Sequence, residues 1–361
     1  LENQKRLPYK PQLDSFRFVA VFLVIISHWI EGSPINKIPN GFLGVTFFFV
    51  LSGFLISTNL LYYKQSINNG ELSITGALGK FYYRRTLRIF PLYFLVIALL
   101  YLGNKSIFQG NVSWYLWYVP NFLIFKVQQW PGMLSHFWSL GVEEQFYLLW
   151  PLLILVFPWR YLKYLFPGII ILSVLAKFFF YFQSTSFFTF YDVLPISCFD
   201  AFGIGAVLAL YSVEKGSYEL VPGKIIKWLL PTLVVFCIVI FNLNLPFLFG
   251  VGIAAVSGLV VLKACKGVQG WIGKILNLPI IIYLGKISYG LYVYHNFMPW
   301  LLRCLNGTEV TLRLPVPSFN MPWTQKPYIA LITEFILLVV IASISWRFFE
   351  KPINNLKKYS G

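Results

Sequence analysis

Arg17 and His28 stand with ten residues between them in an otherwise apolar stretch, DSFRFVAVFLVIISHWI, at positions 14–30. Their types suggest two different chemistries. A guanidinium offers a planar fork of donors that fits phosphate. A neutral imidazole has the basicity to take a proton from a hydroxyl near neutral pH. Each is costly to hold in an apolar helix, which makes an intramembrane functional site the first hypothesis. Taken alone, Arg17 also reads as a side chain snorkelling to lipid phosphate, and His28 as a buried ring satisfied by a neighbouring hydroxyl. At a rise of 1.5 Å per residue, a helix sets the two about 16 Å apart along its axis.

Three further segments carry polar groups of the same kind. SHFWSLGVEEQFYLLWP at 135–151 supplies Trp138, Ser139, Glu143 and Glu144, and Ser139 and Glu143 are four apart on one helix face. Asp200 and His295 lie near the ends of later apolar runs. The spacing predicts that His28, Glu143 or Glu144, Asp200 and His295 meet at similar depth in a pocket open to the outside. A helix-bridging role for Asp200 is the alternative. YYRRTLRIFP at 82–91 brings Arg84, Arg85 and Arg88 to the opposite side. Arg88 shares a face with Arg85 three residues away and with Arg84 four away. Such a triplet suits phosphate, although basic residues also anchor inner loops in any membrane protein.

The elements that must position these groups are transmembrane helices. The chain is 58% hydrophobic and only 12% charged, against about 25% charged in ordinary soluble domains. Ten apolar runs of near-spanning length are legible, at about 15–31, 41–61, 87–103, 138–157, 165–183, 195–212, 227–243, 246–262, 279–299 and 328–349. The fold expected is an all-α integral membrane bundle of about ten helices. The aromatic stretch 114–126, short and broken by Pro120, reads as interfacial or re-entrant. With it left out, the lysines and arginines gather on one side, which places both termini in the cytoplasm. The net charge of +16 is spread through these loops and not gathered on one solvated face, so nucleic-acid binding is excluded. Cys198, Cys237, Cys265 and Cys304 lack metal or disulfide spacing. No metal site is expected, and 1–361 reads as a single membrane domain.

Several motifs together resemble the acyltransferase-3 family of integral membrane acyltransferases. They are the Arg17 and His28 spacing, GFLGVTFFFVLSGFLI at 41–56, RRTLRIFP at 84–91, FWSLGVEEQFYLLWP at 137–151, ISYGLYVYH at 287–295 and FFEKP at 348–352. The resemblance implies a bacterial inner-membrane enzyme that moves an acyl group, often acetyl, from cytoplasmic acyl-CoA to a hydroxyl of a lipid-linked or cell-surface glycan. It implies a catalytic histidine at His28 and donor-binding arginines at Arg17, Arg85 and Arg88. Where relatives often carry an arginine two residues before Asp200, this chain has Cys198, so a salt bridge to Asp200 or a contact to the acceptor is expected to be missing. No SGNH-type esterase domain, which many relatives append, is expected on this chain.

The functional expectation is therefore an acetyl-CoA-dependent O-acyltransferase with acetyl-CoA as donor substrate and no resident cofactor. His28 is the expected general base, with Glu143 orienting it or the acceptor; an acyl-histidine intermediate is the variant. Arg17, Arg84, Arg85 and Arg88 are expected to hold acyl-CoA. Trp138, Ser139, Glu144, Asp200 and His295 are expected on the acceptor side. The proline-rich outer loop 300–327 can contribute to the acceptor mouth, and Trp114, Trp117, Trp130 and Trp138 suit either sugar stacking or an interfacial belt. The competing class is a proton-coupled transporter or glycan exporter using the same intramembrane groups.

Overall fold

Lipid offers no hydrogen bonds, so apolar runs of this length must close their backbone bonds within each segment. The computed structural model describes residues 8–30, 32–183, 190–306 and 326–360, and every regular element among them is helical. The chain opens with α1 (Pro11–Trp29), α2 (Asn40–Asn68) and α3 (Ile74–Asn104). Two short helices follow, α4 (Val112–Leu116) and α5 (Pro120–Val127). Next come α6 (Phe137–Val156), α7 (Trp159–Gln183), α8 (Pro195–Lys215), α9 (Gly223–Asn242) and α10 (Pro246–Lys266). A broken run, α11 (Gly270–Leu276), α12 (Pro279–Lys286), α13 (Ser288–Tyr294) and α14 (Met298–Leu305), precedes α15 (Pro327–Ser345). A π turn at Trp346–Glu350 then leads to α16 (Lys351–Asn355).

The protein is a multi-pass all-α membrane bundle. Nine helical stretches among the described residues are long and apolar enough to cross a membrane. The tenth expected crossing, 279–299, is not one helix. Proline at position 299 has no N–H to give the carbonyl four residues back, that of His295, and its ring crowds that carbonyl. The chain answers with a 3-10 turn at His295–Phe297. The indole N–H of Trp29 then donates to His295 O at 2.9 Å. At its other end this run meets the start of α1, where a Cβ on Gly285 would lie 1.8 Å from Asp14 O. The broken run therefore travels alongside α1 from Asp14 to Trp29.

Helix α2 runs through the middle of the bundle and packs most intimately on α8. A Cβ on Gly53 would sit 2.2 Å from Phe202 O, and one on Gly205 would sit 2.2 Å from Val50 O. Small residues allow that approach, and in lipid such close packing drives helix association. The segment around 114–126 forms α4 and α5; at 8 residues, α5 is about 12 Å long, far short of the roughly 30 Å hydrocarbon core. Asn121 on α5 and Gln145 on α6 exchange amide bonds of 3.1 and 2.9 Å, and Gln145 also donates to Tyr118 O at 3.0 Å.

The expected loss of a salt bridge at Asp200 is corrected by tertiary packing. Lys177, projecting from α7, reaches Asp200 Oδ2 at 2.6 Å. Gly250 on α10 makes room for it: a Cβ there would lie 3.0 Å from Lys177 Nζ. The cation missing at Cys198 is thus supplied from the neighbouring helix. All four cysteines are buried. Of the loop 300–327, positions 307–325 lie outside the described residues.

Candidate functional site

Helix α1 gives an ionisable residue to each of two cavities. Arg17 lines a cavity of about 170 Å³, and His28 lines a second of about 970 Å³. Only Val45 and Tyr292 line both. They form the partition between an arginine chamber and a histidine chamber.

The arginine chamber is built from five elements. Arg17 comes from α1, Ser52 from α2, Arg85 and Arg88 from α3, Ser139, Glu143 and Tyr147 from α6, and Tyr289 and Tyr292 from α13. Arg17 is paired with Asp14 one turn earlier, and Asp14 also accepts from Tyr9. Glu143 accepts from Ser52 Oγ at 3.1 Å and from Tyr147 Oη at 3.3 Å. The Arg85 guanidinium lies over the Tyr147 ring at 5.2 Å and near the Phe81 ring at 5.8 Å, an arrangement that holds its plane in place. Arg17 pairs with Asp14 and Lys177 with Asp200, whereas neither Arg85 nor Arg88 has a carboxylate within ion-pair distance among the described residues. Guanidiniums not tied up in an ion pair keep donors for an anion, although Glu143 on the same wall offsets part of their charge. Arg84 turns away from the chamber towards Tyr63 Oη at 3.5 Å. The three-residue spacing was therefore the one that put two arginines on the chamber wall. Lys357, in the 3-10 turn Leu356–Ser360, lies within the electrostatic reach of all three arginines.

The histidine chamber is wider and more aromatic. His28, Trp130, His136, Trp138, Asn296 and Trp300 line it, with Lys37, Asp192 and Arg303 among its charged walls. The chain has three histidines, and all three gather here. The His28 and His295 rings are 5.2 Å apart between centroids, and those of His136 and His295 are 4.9 Å apart. His295 lines neither cavity; it is 0% exposed and sits behind the other two. Among the described residues no group of three or more His, Cys, Asp or Glu has an arrangement that could hold a metal ion.

Several expectations about the site need correction. Glu143 does not approach His28: it lines the arginine chamber, and its hydrogen bonds go to Ser52 and Tyr147. The reason is depth. α6 starts at Phe137, and seven residues separate His136 from Glu143, about 10 Å along a helix. His136, not Glu143, stands at the level of His28. Asp200, 1% exposed and held by Lys177, lines neither cavity. Glu144 likewise faces neither chamber.

Ser139 belongs to the arginine side, where its hydroxyl bonds to that of Tyr292; Tyr292 Oη also donates to His136 O at 3.1 Å. Trp138 and Trp130 do line the histidine chamber, whereas Trp117 is 80% exposed and Trp114 stacks under Lys126. His136, Tyr292, Trp300 and Lys177 are the residues that sequence reasoning missed. Signals existed for two of them: His136 is one of three histidines and directly precedes the FWSLGVEEQ run, and Tyr292 lies within ISYGLYVYH.

Comparisons with known proteins identify the family. Residues 10–348 match the family model Acyl_transf_3, described as an acyltransferase domain. The chain is 28% identical to the peptidoglycan O-acetyltransferase OatA of Listeria monocytogenes, over 96% of this chain and 56% of that protein. It is 27% identical to a putative O-acetyltransferase of Staphylococcus aureus strain MSSA476, over 97% of this chain and 58% of the other. It is 26% identical to the putative peptidoglycan O-acetyltransferase YrhL of Bacillus subtilis, over 96% and 55%. The chain therefore spans a little over half the length of these relatives. No solved structure matches it significantly.

Proposed function

The chain belongs to the acyltransferase-3 family, and on that footing we propose that it is a membrane O-acetyltransferase using acetyl-CoA as donor and a wall or lipid-linked glycan as acceptor. The observation that carries the reading is the reach of α1: it lends Arg17 to one chamber and His28 to the other, with Val45 and Tyr292 between them. The phosphates of acetyl-CoA dock on Arg85 and Arg88, with Arg17 and Lys357 adding positive charge. The arginine chamber opens to the cytoplasm in this reading, in line with the basic inner loops. The long, thin pantetheine arm follows α1 past Tyr292, and the thioester arrives at the histidine chamber.

There the glycan hydroxyl meets the thioester carbonyl. The aromatic faces of Trp130, Trp138 and Trp300 give a sugar ring apolar surface to stack on. His28, as neutral imidazole, takes the hydroxyl proton while the oxygen attacks the carbonyl carbon. The tetrahedral intermediate then breaks its C–S bond. The departing thiolate receives the proton from the His28 imidazolium, so the products are an O-acetyl ester and CoA thiol. Glu143 acts at a distance from this chemistry, holding Tyr147 beneath Arg85. The wall-glycan acceptor follows the names of the relatives, and an undecorated or lipid-linked sugar would use the same chamber.

The test is a His28→Ala variant that still inserts and binds acetyl-CoA. O-acetyl groups on the host's wall glycan, measured by mass spectrometry, should disappear. Near-normal acetylation would sink the assignment. Glycan movement without loss of the thioester would instead identify a transporter.

A further inference from the structure

His295 has a ring nitrogen for which the bundle provides no partner. Its Nδ1 lies 2.6 Å from Tyr292 O, and a carbonyl can only accept, so Nδ1 carries the proton and Nε2 is the acceptor. That Nε2 is buried and unbonded. His136 repeats the pattern: its Nε2 faces Val293 O at 3.1 Å, which leaves a buried, unbonded Nδ1. Buried polar atoms are almost always satisfied, so each exception asks for a reason. His136 is the nearer ring, with centroids 4.9 Å apart, but its unbonded Nδ1 is an acceptor like His295 Nε2 and has no proton to give. The next chamber ring is that of His28, at 5.2 Å. A centroid separation of that size leaves room for one N–H···N bond of about 2.9 Å between two imidazoles.

Resting on the assignment of His28 as the base, we propose that His295 is its positioning residue: His295 Nε2, unpartnered in this structure, accepts the N–H of His28 that points away from the chamber once the His28 ring rotates to meet it. The backbone fixes the tautomer of His295 through Tyr292 O. His295 in turn fixes that of His28, and the reactive nitrogen of His28 is left with its lone pair towards the acceptor hydroxyl. As His28 becomes imidazolium, the same bond becomes charge-assisted and shortens. A second imidazole here occupies the place a carboxylate takes in many catalytic histidine pairs, and Glu143 is too deep to fill it. The break at Pro299 serves this arrangement. It frees the carbonyl of His295 for Trp29, which ties the backbone of His295 to the residue next to His28.

The test uses the full chain in proteoliposomes with acetyl-CoA as donor and N-acetylglucosamine tetramer as acceptor, read as CoA thiol released. His295→Leu should lower kcat about 10- to 100-fold, the scale of a misplaced reacting group. KM for acetyl-CoA should be unchanged, since the arginine chamber is untouched. His295→Gln, whose amide oxygen can stand near the lost Nε2, should recover most of that kcat. Equal losses in the Leu and Gln variants, or a loss confined to KM, would overturn the proposal. So would a normal kcat in His295→Leu alongside a dead His28→Ala, an outcome that leaves the transferase reading intact. An active His28→Ala would instead bring down the transferase reading itself.

One measurement needs no variant to fold. With three histidines in the chain, the imidazole ¹⁵N spectrum of the wild-type protein in lipid should show His28 as a single neutral tautomer. A mixture of tautomers at His28 rules the positioning role out.

Discussion

In the arginine chamber Glu143 and Arg85 are engaged with hydroxyls and rings, whereas at and behind the wall of the histidine chamber two ring nitrogens are left bare. Glu143 holds two hydroxyls and Arg85 lies over two aromatic rings. Across the partition, His136 Nδ1 and His295 Nε2 have no partner. The sizes differ as well, about 170 Å³ against about 970 Å³. A narrow chamber with fixed cations suits a ligand recognised by its phosphates and threaded as a thin arm. A wide aromatic chamber with uncommitted nitrogens suits a bulky sugar and proton transfer. On the proposed function, the contrast puts binding and chemistry at opposite ends of one helix.

The most severe way to break the comparison is at His28. His28→Ala should cut kcat by about 10²- to 10⁴-fold, the usual contribution of a general base. Acetyl-CoA affinity, followed by calorimetry, should hold. A matching loss of affinity would mean that the chambers are not separate. Next in size is an effect on stability that should leave both chambers' chemistry alone. Lys177→Met strands Asp200 in a pair whose side chains are only 6% and 2% exposed. Breaking such a buried pair costs about 3–5 kcal/mol, visible as a lowered Tm in lipid. The folded fraction should keep its kcat.

Arg85→Ala and Arg88→Ala should each weaken acetyl-CoA binding about 10- to 100-fold, the equivalent of losing a charge-assisted bond of about 1.5–3 kcal/mol. Arg84→Ala, outside the chamber, is expected to do much less, and an equal effect would return Arg84 to the donor site. The smallest effect concerns pH. Asp192 lies on the 3-10 turn Phe190–Val193, outside the spanning helices. Burial pushes its carboxyl up to about 7, with Asp200 adding to the rise and Lys177 opposing it. Below that pH the group is neutral; above it, a negative charge enters the histidine chamber. KM for an anionic muramyl fragment should therefore climb as pH rises through 7, by about fivefold for roughly 1 kcal/mol. A neutral chitotetraose should show no such climb, and Asp192→Asn should flatten the muramyl profile.

Much of this protein was legible one segment at a time. The apolar runs marked the crossings, because a helix that must satisfy its own backbone in lipid needs about 20 apolar residues. The interval from Arg17 to His28 set a depth, and the interval from Arg85 to Arg88 set a shared face. Both are properties of a single helix, and both survived folding. The end point of a helix was less legible. Placing the 135–151 stretch as a whole at the level of His28 put Glu143 beside the imidazole, whereas the start of α6 at Phe137 carries it a chamber deeper.

What the sequence by itself determined was therefore the bundle, the depth of each polar residue along its own helix, and the family to which the motifs belong. Only the tertiary structure decided who faces whom. Lys177 and Asp200 meet because α7 and α8 pack together, and Gly250 on α10 leaves space for the ammonium. His28, His136 and His295 meet because α1, the entry to α6 and a proline-broken run converge at one level. Helical periodicity fixes rise and face within a segment. It carries no information about the neighbour across the gap, which is set by close backbone approaches such as Gly53 on Phe202 and Gly285 on Asp14.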